Sequence, residues 1–164
     1  LFTLHDIPYH PVKRSIAMLL TEFMAHALSN EAENTDLYIY IEHSVQWFDA
    51  ASDGYANFHL VFLLKLARFL GFAPNIEGYA EGCCFDLTRG RFAPSAISAN
   101  TLLCSTDATL LYRLSMTNYE AMSSMAMSRR DRARLIRSLA AYYTQHIPAF
   151  PSIKSLEILQ EVID

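Results

Sequence analysis

The stretch ANFHLVFLLKLARFLGFAPN, residues 56–75, constrains the fold more than any other part of the chain. Wound as a helix it is apolar almost all the way round, with Phe58, Phe62, Leu63, Leu66, Phe69 and Leu70 covering most directions. It is too short to span a bilayer, which needs roughly 20 consecutive apolar residues. Such a helix has to be central, packed by neighbours on most sides. One narrow seam, Asn57, Val61, Lys65 and Arg68, breaks the pattern. Two readings of its cations are open. Their stems cover apolar surface while their heads reach water. Alternatively, the seam opens on a groove with an apolar floor and a cationic rim, shaped for a peptide that is both acidic and hydrophobic. On the second reading, Val61, Lys65 and Arg68 are the candidate peptide-binding residues.

Helical periodicity dominates the rest of the chain. VKRSIAMLLTEFMAHALSN, after Pro11, predicts a first helix, and Asn34 or Thr35 caps a second, DLYIYIEHSVQWFDA. Gly54 breaks that helix, Asn57 is placed to cap the third, and Gly71 ends it. Between about 79 and 93 the period changes. CCFDLTRGRF alternates around a glycine-containing turn and predicts a small β-hairpin, Phe85–Leu87 against Arg91–Phe92. Helices resume over roughly 105–115, 129–146 and 155–163, with Ser128 and Asp131 forming an acidic capping box at the start of the longest. The fold class expected is mainly α, a helical bundle with one small β-hairpin insertion, in a single domain over residues 1–164.

Charge is unevenly placed. Residues 1–82 hold four Lys/Arg against ten Asp/Glu, whereas residues 83–164 hold nine against seven, so an anionic partner belongs to the second half. In SRRDRARLIRSLAAYYTQH, Arg130, Arg134 and Arg137 form one stripe opposite Leu135, Leu139 and Tyr142. That stripe is either a solvated face or a phosphate-contacting one, since arginine binds phosphate bidentately. No nucleotide-binding, zinc-protease or nucleophile-elbow motif occurs, so no enzyme is expected. The six histidines are scattered and read as surface or capping residues. Three cysteines, Cys83, Cys84 and Cys104, make no disulfide framework and fit a reducing cytosol. With no signal peptide, no membrane span and no initiator Met, the expectation is a soluble, cytoplasmic domain cut from a longer chain.

Three stretches, NFHLVFLLKLARFLGFAPN, FDLTRGRF and SRRDRARLIRSLAAYYTQHIPAFPSIKSLEILQEV, resemble in this order the C-terminal region of the RecO family of bacterial DNA repair proteins. The opening YHPVKRSIAMLLTEFMAHAL is similar to the first helix of that region, so the likeness covers nearly the whole chain. The resemblance implies a nucleoid-associated recombination mediator of the RecF pathway. Such proteins bind single- and double-stranded DNA, anneal strands, and work with RecR to load RecA onto DNA coated by single-strand-binding protein. In the family an N-terminal OB-fold precedes this helical region, and the resemblance implies that residues 1–164 do not include it. Arg130, Arg134 and Arg137 become candidate DNA contacts, and the seam a dock for the acidic, Phe-ending tail of single-strand-binding protein. The alternative is a helical protein–protein interaction domain without direct DNA contact. Two departures stand out. Some members hold zinc through two CxxC pairs around the hairpin, but here Cys83-Cys84 and GRFAPSAI stand in those places, so no metal or other cofactor is expected. The family's arginines near the start of the third helix are replaced by ANFHLVF, leaving Lys65 and Arg68 to supply the charge.

Overall fold

The computed structural model describes residues 2–94 and 101–163, with the backbone alone for residues 160–163. The helices are α1 (Pro11–Ala27), α2 (Thr35–Ala50), α3 (Phe58–Phe69), α4 (Ser105–Ser115), α5 (Arg129–His146) and α6 (Ser155–Ile163). Three short strands, β1 (Cys84–Asp86), β2 (Arg91–Ala93) and β3 (Leu102–Leu103), lie between α3 and α4. The fold is therefore mainly α with a small antiparallel β insertion, as the periodicity predicts. The expected two-stranded hairpin gains a third strand: the order is β2-β1-β3, with Phe85 opposite both Phe92 and Leu103.

The apolar run behaves as its composition requires. Of the twelve residues of α3, nine are buried, and the helix is packed by α1, α2, α4 and α5. Its end is a Schellman motif. Gly71 adopts φ 85°, its amide donates to the Arg68 carbonyl at 3.2 Å, and the Phe72 amide donates to Ala67 at 3.0 Å. Two tyrosines reach the middle of α3 from different neighbouring helices. Tyr40 of α2 donates to the Phe62 carbonyl at 2.8 Å, and Tyr143 of α5 donates to the Leu63 carbonyl at 2.7 Å. These bonds use carbonyl lone pairs that water cannot reach and fix α3 in height and rotation.

The other caps explain where the helices start. His10 Nδ1 accepts from the Lys13 amide at 3.4 Å ahead of Pro11, and Asn34 accepts from Leu37 at 3.0 Å. Ser128 and Asp131 form the reciprocal capping box of α5. Asn57 departs from expectation. It stands at the N-cap position of α3, but its side chain is buried and donates to the Met125 carbonyl at 3.2 Å instead of capping. In the sheet, Gly90 closes the β1–β2 turn at φ 65°, and a Cβ there would lie 2.8 Å from the Tyr142 hydroxyl. No larger residue fits against α5 at that point.

Two of the buried polar groups, Lys13 and His59, carry ionisable side chains into the core. Lys13 is almost wholly buried, with its ammonium on Asp6 at 2.6 Å and on the Asp49 carbonyl at 3.0 Å. The Asp49 carboxylate accepts the amides of His5, Asp6 and Ile7 at 2.8, 3.0 and 2.8 Å, which ties residues 5–7 to the end of α2. Burial alone would raise the Asp49 carboxyl, but these amides and Lys13 outweigh it and hold the group below the usual carboxylate range. His59 is the second. It is not a surface histidine: it is buried in α3, and its Nδ1 has no hydrogen-bond partner among the described residues. Burial first, and the nearby Arg132 charge second, push it down to about 3.

These shifts give the folded protein an acid limb in two parts. A folded pKa below the unfolded one means stability is present above the unfolded pKa and is lost as pH falls. For His59 the loss begins near pH 6.5, where the unfolded chain takes up a proton that the folded chain refuses. For Asp49 it begins near pH 4. Denaturant unfolding between pH 7 and pH 3 should show stability falling from about pH 6.5 by roughly 1 kcal/mol per pH unit. His59→Leu should flatten the limb between pH 6.5 and 4 and leave the steeper fall below pH 4. Equal slopes in both proteins across that window would show that His59 is not held neutral.

Candidate peptide groove and basic face

The seam of α3 is covered at one end and open at the other. Residues 119–125 run across its first half: Asn57 bonds Met125, and the Phe58 and Tyr119 rings pack with centroids 5.0 Å apart. Val61 is fully buried there. As a candidate partner-binding residue Val61 is therefore corrected to a core residue. The periodicity that put it on the seam could not register the chain that covers it.

Past that crossover the seam opens. Lys65 is half-buried and Arg68 is exposed, and both line a groove of about 390 Å³. One wall is Leu64 of α3, a second is Ala73, Pro74 and Ile76, and the third is Leu114 to Thr117 at the end of α4. Met116 is 62% exposed at this edge. The groove thus places apolar surface within reach of two cations three residues apart on one side of a helix.

The two cations differ. The Lys65 ammonium lies 4.6 Å from the centroid of the Tyr119 ring, a cation–π contact. Burial lowers its pKa, and the charge of Glu120 partly opposes that shift. Tyr119 is itself fixed: its hydroxyl donates to Ser44 at 2.9 Å and lies 3.1 Å from the Tyr40 hydroxyl. Tyr40 in turn stacks on Phe69, centroids 4.9 Å apart. Lys65 is therefore a positioned cation on an aromatic platform, whereas Arg68 reaches solvent.

The arginine stripe is not uniform either. Arg130 and Arg137 are exposed. Arg134, between them, pairs with Asp107 at 2.9 Å and with Asp131 at 2.6 Å. Asp107 is buried in the first turn of α4, so this pair joins α4 to α5. The hydrogen bonds that Arg134 donates to Asp107 and Asp131 raise its pKa further. The side opposite the stripe, Leu135, Leu139 and Tyr142, is buried as predicted.

Two arginines of the same run were not singled out by the i, i+4, i+7 pattern. Arg129 and Arg132, at i and i+3, share a cleft of about 400 Å³ with Val12, Ile16, Asp53 and Tyr55. Arg132 also donates to the Met127 carbonyl at 2.8 Å. Among the described residues no three His, Cys, Asp or Glu side chains converge as metal ligands. Cys83 is buried, Cys84 half-buried and Cys104 exposed. In GRFAPSAI, residues 95–97 lie outside the described residues. No helix among the described residues is long and apolar enough to cross a membrane.

Comparison with known proteins adds an independent line. Residues 10–157 match the family model described as Recombination protein O C terminal. The chain is 42% identical over 161 residues to the DNA repair protein RecO of Phocaeicola vulgatus, covering 98% of this chain and 67% of that protein. It is 42% identical over 160 residues to that of Bacteroides fragilis, covering 97% and 66%. It is 32% identical over 167 residues to that of Porphyromonas gingivalis, covering 100% and 68%. The chain spans about two thirds of the length of these relatives. No solved structure matches it.

The unequal roles within the stripe have a measurable consequence. Arg134→Ala strips the partner from a buried carboxylate and should cost about 1–3 kcal/mol in denaturant unfolding. Arg130→Ala should stay within about 0.5 kcal/mol of wild type. Equal effects would mean that the Arg134–Asp107 pair holds nothing together.

Proposed function

Because this chain belongs to the RecO C-terminal family, we propose that it serves DNA repair as a non-enzymatic recombination mediator at the nucleoid, with its groove docking the tail of single-strand-binding protein. The observation that carries this reading is the groove with Lys65 and Arg68 on one side of an apolar cleft. The tail is acidic and ends in phenylalanine, so it needs a cation and an apolar pocket close together. A charge-assisted hydrogen bond contributes about 1.5–3 kcal/mol. Burial of a phenylalanine ring contributes a further ~1.5–3 kcal/mol. After the cost of ordering a flexible peptide, affinity near the micromolar range follows.

DNA and RecR are the remaining partners in this proposal. The phosphate contacts in this proposal are Arg130 and Arg137, both exposed; Arg134 pairs with Asp107 and Asp131. That ion pairing favours a second reading, a helical protein–protein interaction domain whose basic face makes no DNA contact. Salt dependence separates the two, because each phosphate neutralised releases condensed counterions.

Arg68→Glu is the direct test of the groove, since it leaves the Lys65–Tyr119 contact in place. An acidic, Phe-ending peptide followed by fluorescence anisotropy should lose at least about tenfold in affinity, with the thermal midpoint nearly unchanged. Unaltered anisotropy would remove the groove from peptide binding. For DNA, Arg130→Ala with Arg137→Ala in the complete protein should reduce the slope of log affinity against log salt by up to about two phosphate-equivalents. An unchanged slope supports the interaction-domain reading.

A further inference from the structure

The three-stranded sheet brings together two cysteines that lie twenty residues apart in the chain. In the β1–β3 pairing Phe85 stands opposite Leu103 and Asp86 opposite Leu102. One step further along that register sets Cys84 against Cys104. Side chains alternate between faces along a strand. Phe85 and Leu103 are buried on the inner face, so Cys84 and Cys104 share the outer face with Asp86 and Leu102. Their exposure agrees, since Cys84 is half-buried and Cys104 exposed. Cys104 is extended, at φ −61° and ψ 162°, and carries the strand direction on to the first turn of α4.

The hydrogen-bond phase of the ladder also fits. The Leu87 amide donates to the Thr101 carbonyl at 2.9 Å, which makes 87/101 a hydrogen-bonded position. Positions alternate, so 86/102 is non-bonded, 85/103 bonded and 84/104 non-bonded. At non-bonded positions of an antiparallel pair the facing Cα atoms lie about 4.5 Å apart, with their side chains at closest approach. A disulfide accepts Cα separations of about 4.4–6.8 Å. The vicinal alternative is less well placed, because Cys83 is buried and neighbouring residues along a strand point to opposite faces.

We propose that Cys84 and Cys104 are a thiol pair that closes to a disulfide by exchange with a low-molecular-weight disulfide. The exposed Cys104 thiolate attacks one sulfur of the incoming disulfide and releases one small thiol. The Cys84 thiolate then attacks the Cys104 sulfur and releases the second. Two protein thiols lose two protons and two electrons, and the small disulfide gains them as two thiols. The new bond joins the middle strand of the sheet to the residue that precedes α4, closing a ring from 84 to 104. This site rests on the sheet register and is independent of the groove and of its partner.

The test uses the full chain, fully reduced and then incubated with oxidised glutathione. Free thiols are blocked, and the protein is digested and read by mass spectrometry without reduction. The expected result is a peptide pair joined through Cys84 and Cys104, with Cys83 blocked as a free thiol. The link should persist in Cys83→Ser and disappear in both Cys84→Ser and Cys104→Ser. Thermal melts of the three variants check that each is folded before oxidation. A Cys83–Cys84 bond as the sole internal link would overturn the proposal. So would glutathione that stays on Cys104 of the wild-type chain without being displaced.

Discussion

Everything in this fold is arranged around a helix that has almost no solvent side. Burying α3 on four flanks sets it at the centre of the apolar core, but it also buries backbone carbonyls and one ionisable ring. The tyrosines are the answer to the first difficulty. Tyr40 and Tyr143 approach from different helices, α2 and α5, and end on consecutive carbonyls, Phe62 and Leu63. A smooth apolar cylinder could slide or rotate among its neighbours at small cost. Two directional bonds at mid-height remove that freedom, and the Schellman end at Gly71 fixes where the chain leaves. Because α3 is fixed, Lys65 and Arg68 emerge at a definite place, and the walls from 73–76 and 114–117 can form a groove beside them.

Four cations of this acidic chain show three environments, set by what lies within a few ångströms of each. Lys13 is enclosed and serves the attachment of residues 5–7 to α2. Arg134 links two helices through a buried carboxylate. Lys65 and Arg68 stand beside an apolar cleft. The same side-chain chemistry thus acts as a clasp, a brace and a rim. Net charge by sequence segment distinguishes none of these uses, because the partners that decide them are remote in the chain. Asp49 lies 36 residues from Lys13, and Asp107 lies 27 from Arg134.

Local signals were legible wherever local physics decides. Pro11, Asn34 and the Ser128–Asp131 pair mark helix starts, and Gly71 marks an end, because caps act through neighbours a few residues away. The change of period near 85 located the sheet. Its third strand, Leu102–Leu103, was not legible, since two residues carry no period and owe their conformation to β1. The groove was half-legible. Lys65 and Arg68 follow from helical spacing, whereas Val61, on the same seam by that spacing, is fully buried. His59 was missed for a related reason. A lone histidine among leucines gives no sequence signal of whether its flank faces water, and only the packing of neighbours decides.

The Lys65–Tyr119 contact also bears on the kinetics of the groove. An ammonium already resting on an aromatic face has surrendered part of its water shell when the domain folds, before any ligand arrives. Arg68 keeps its shell until the moment of contact. Under the peptide-docking proposal the two cations would serve successive stages of one encounter: the hydrated, exposed guanidinium would attract an anionic segment from a distance, an effect muted by salt. The half-dehydrated ammonium would act at close range, where salt screens little, and would set how long such a segment stays.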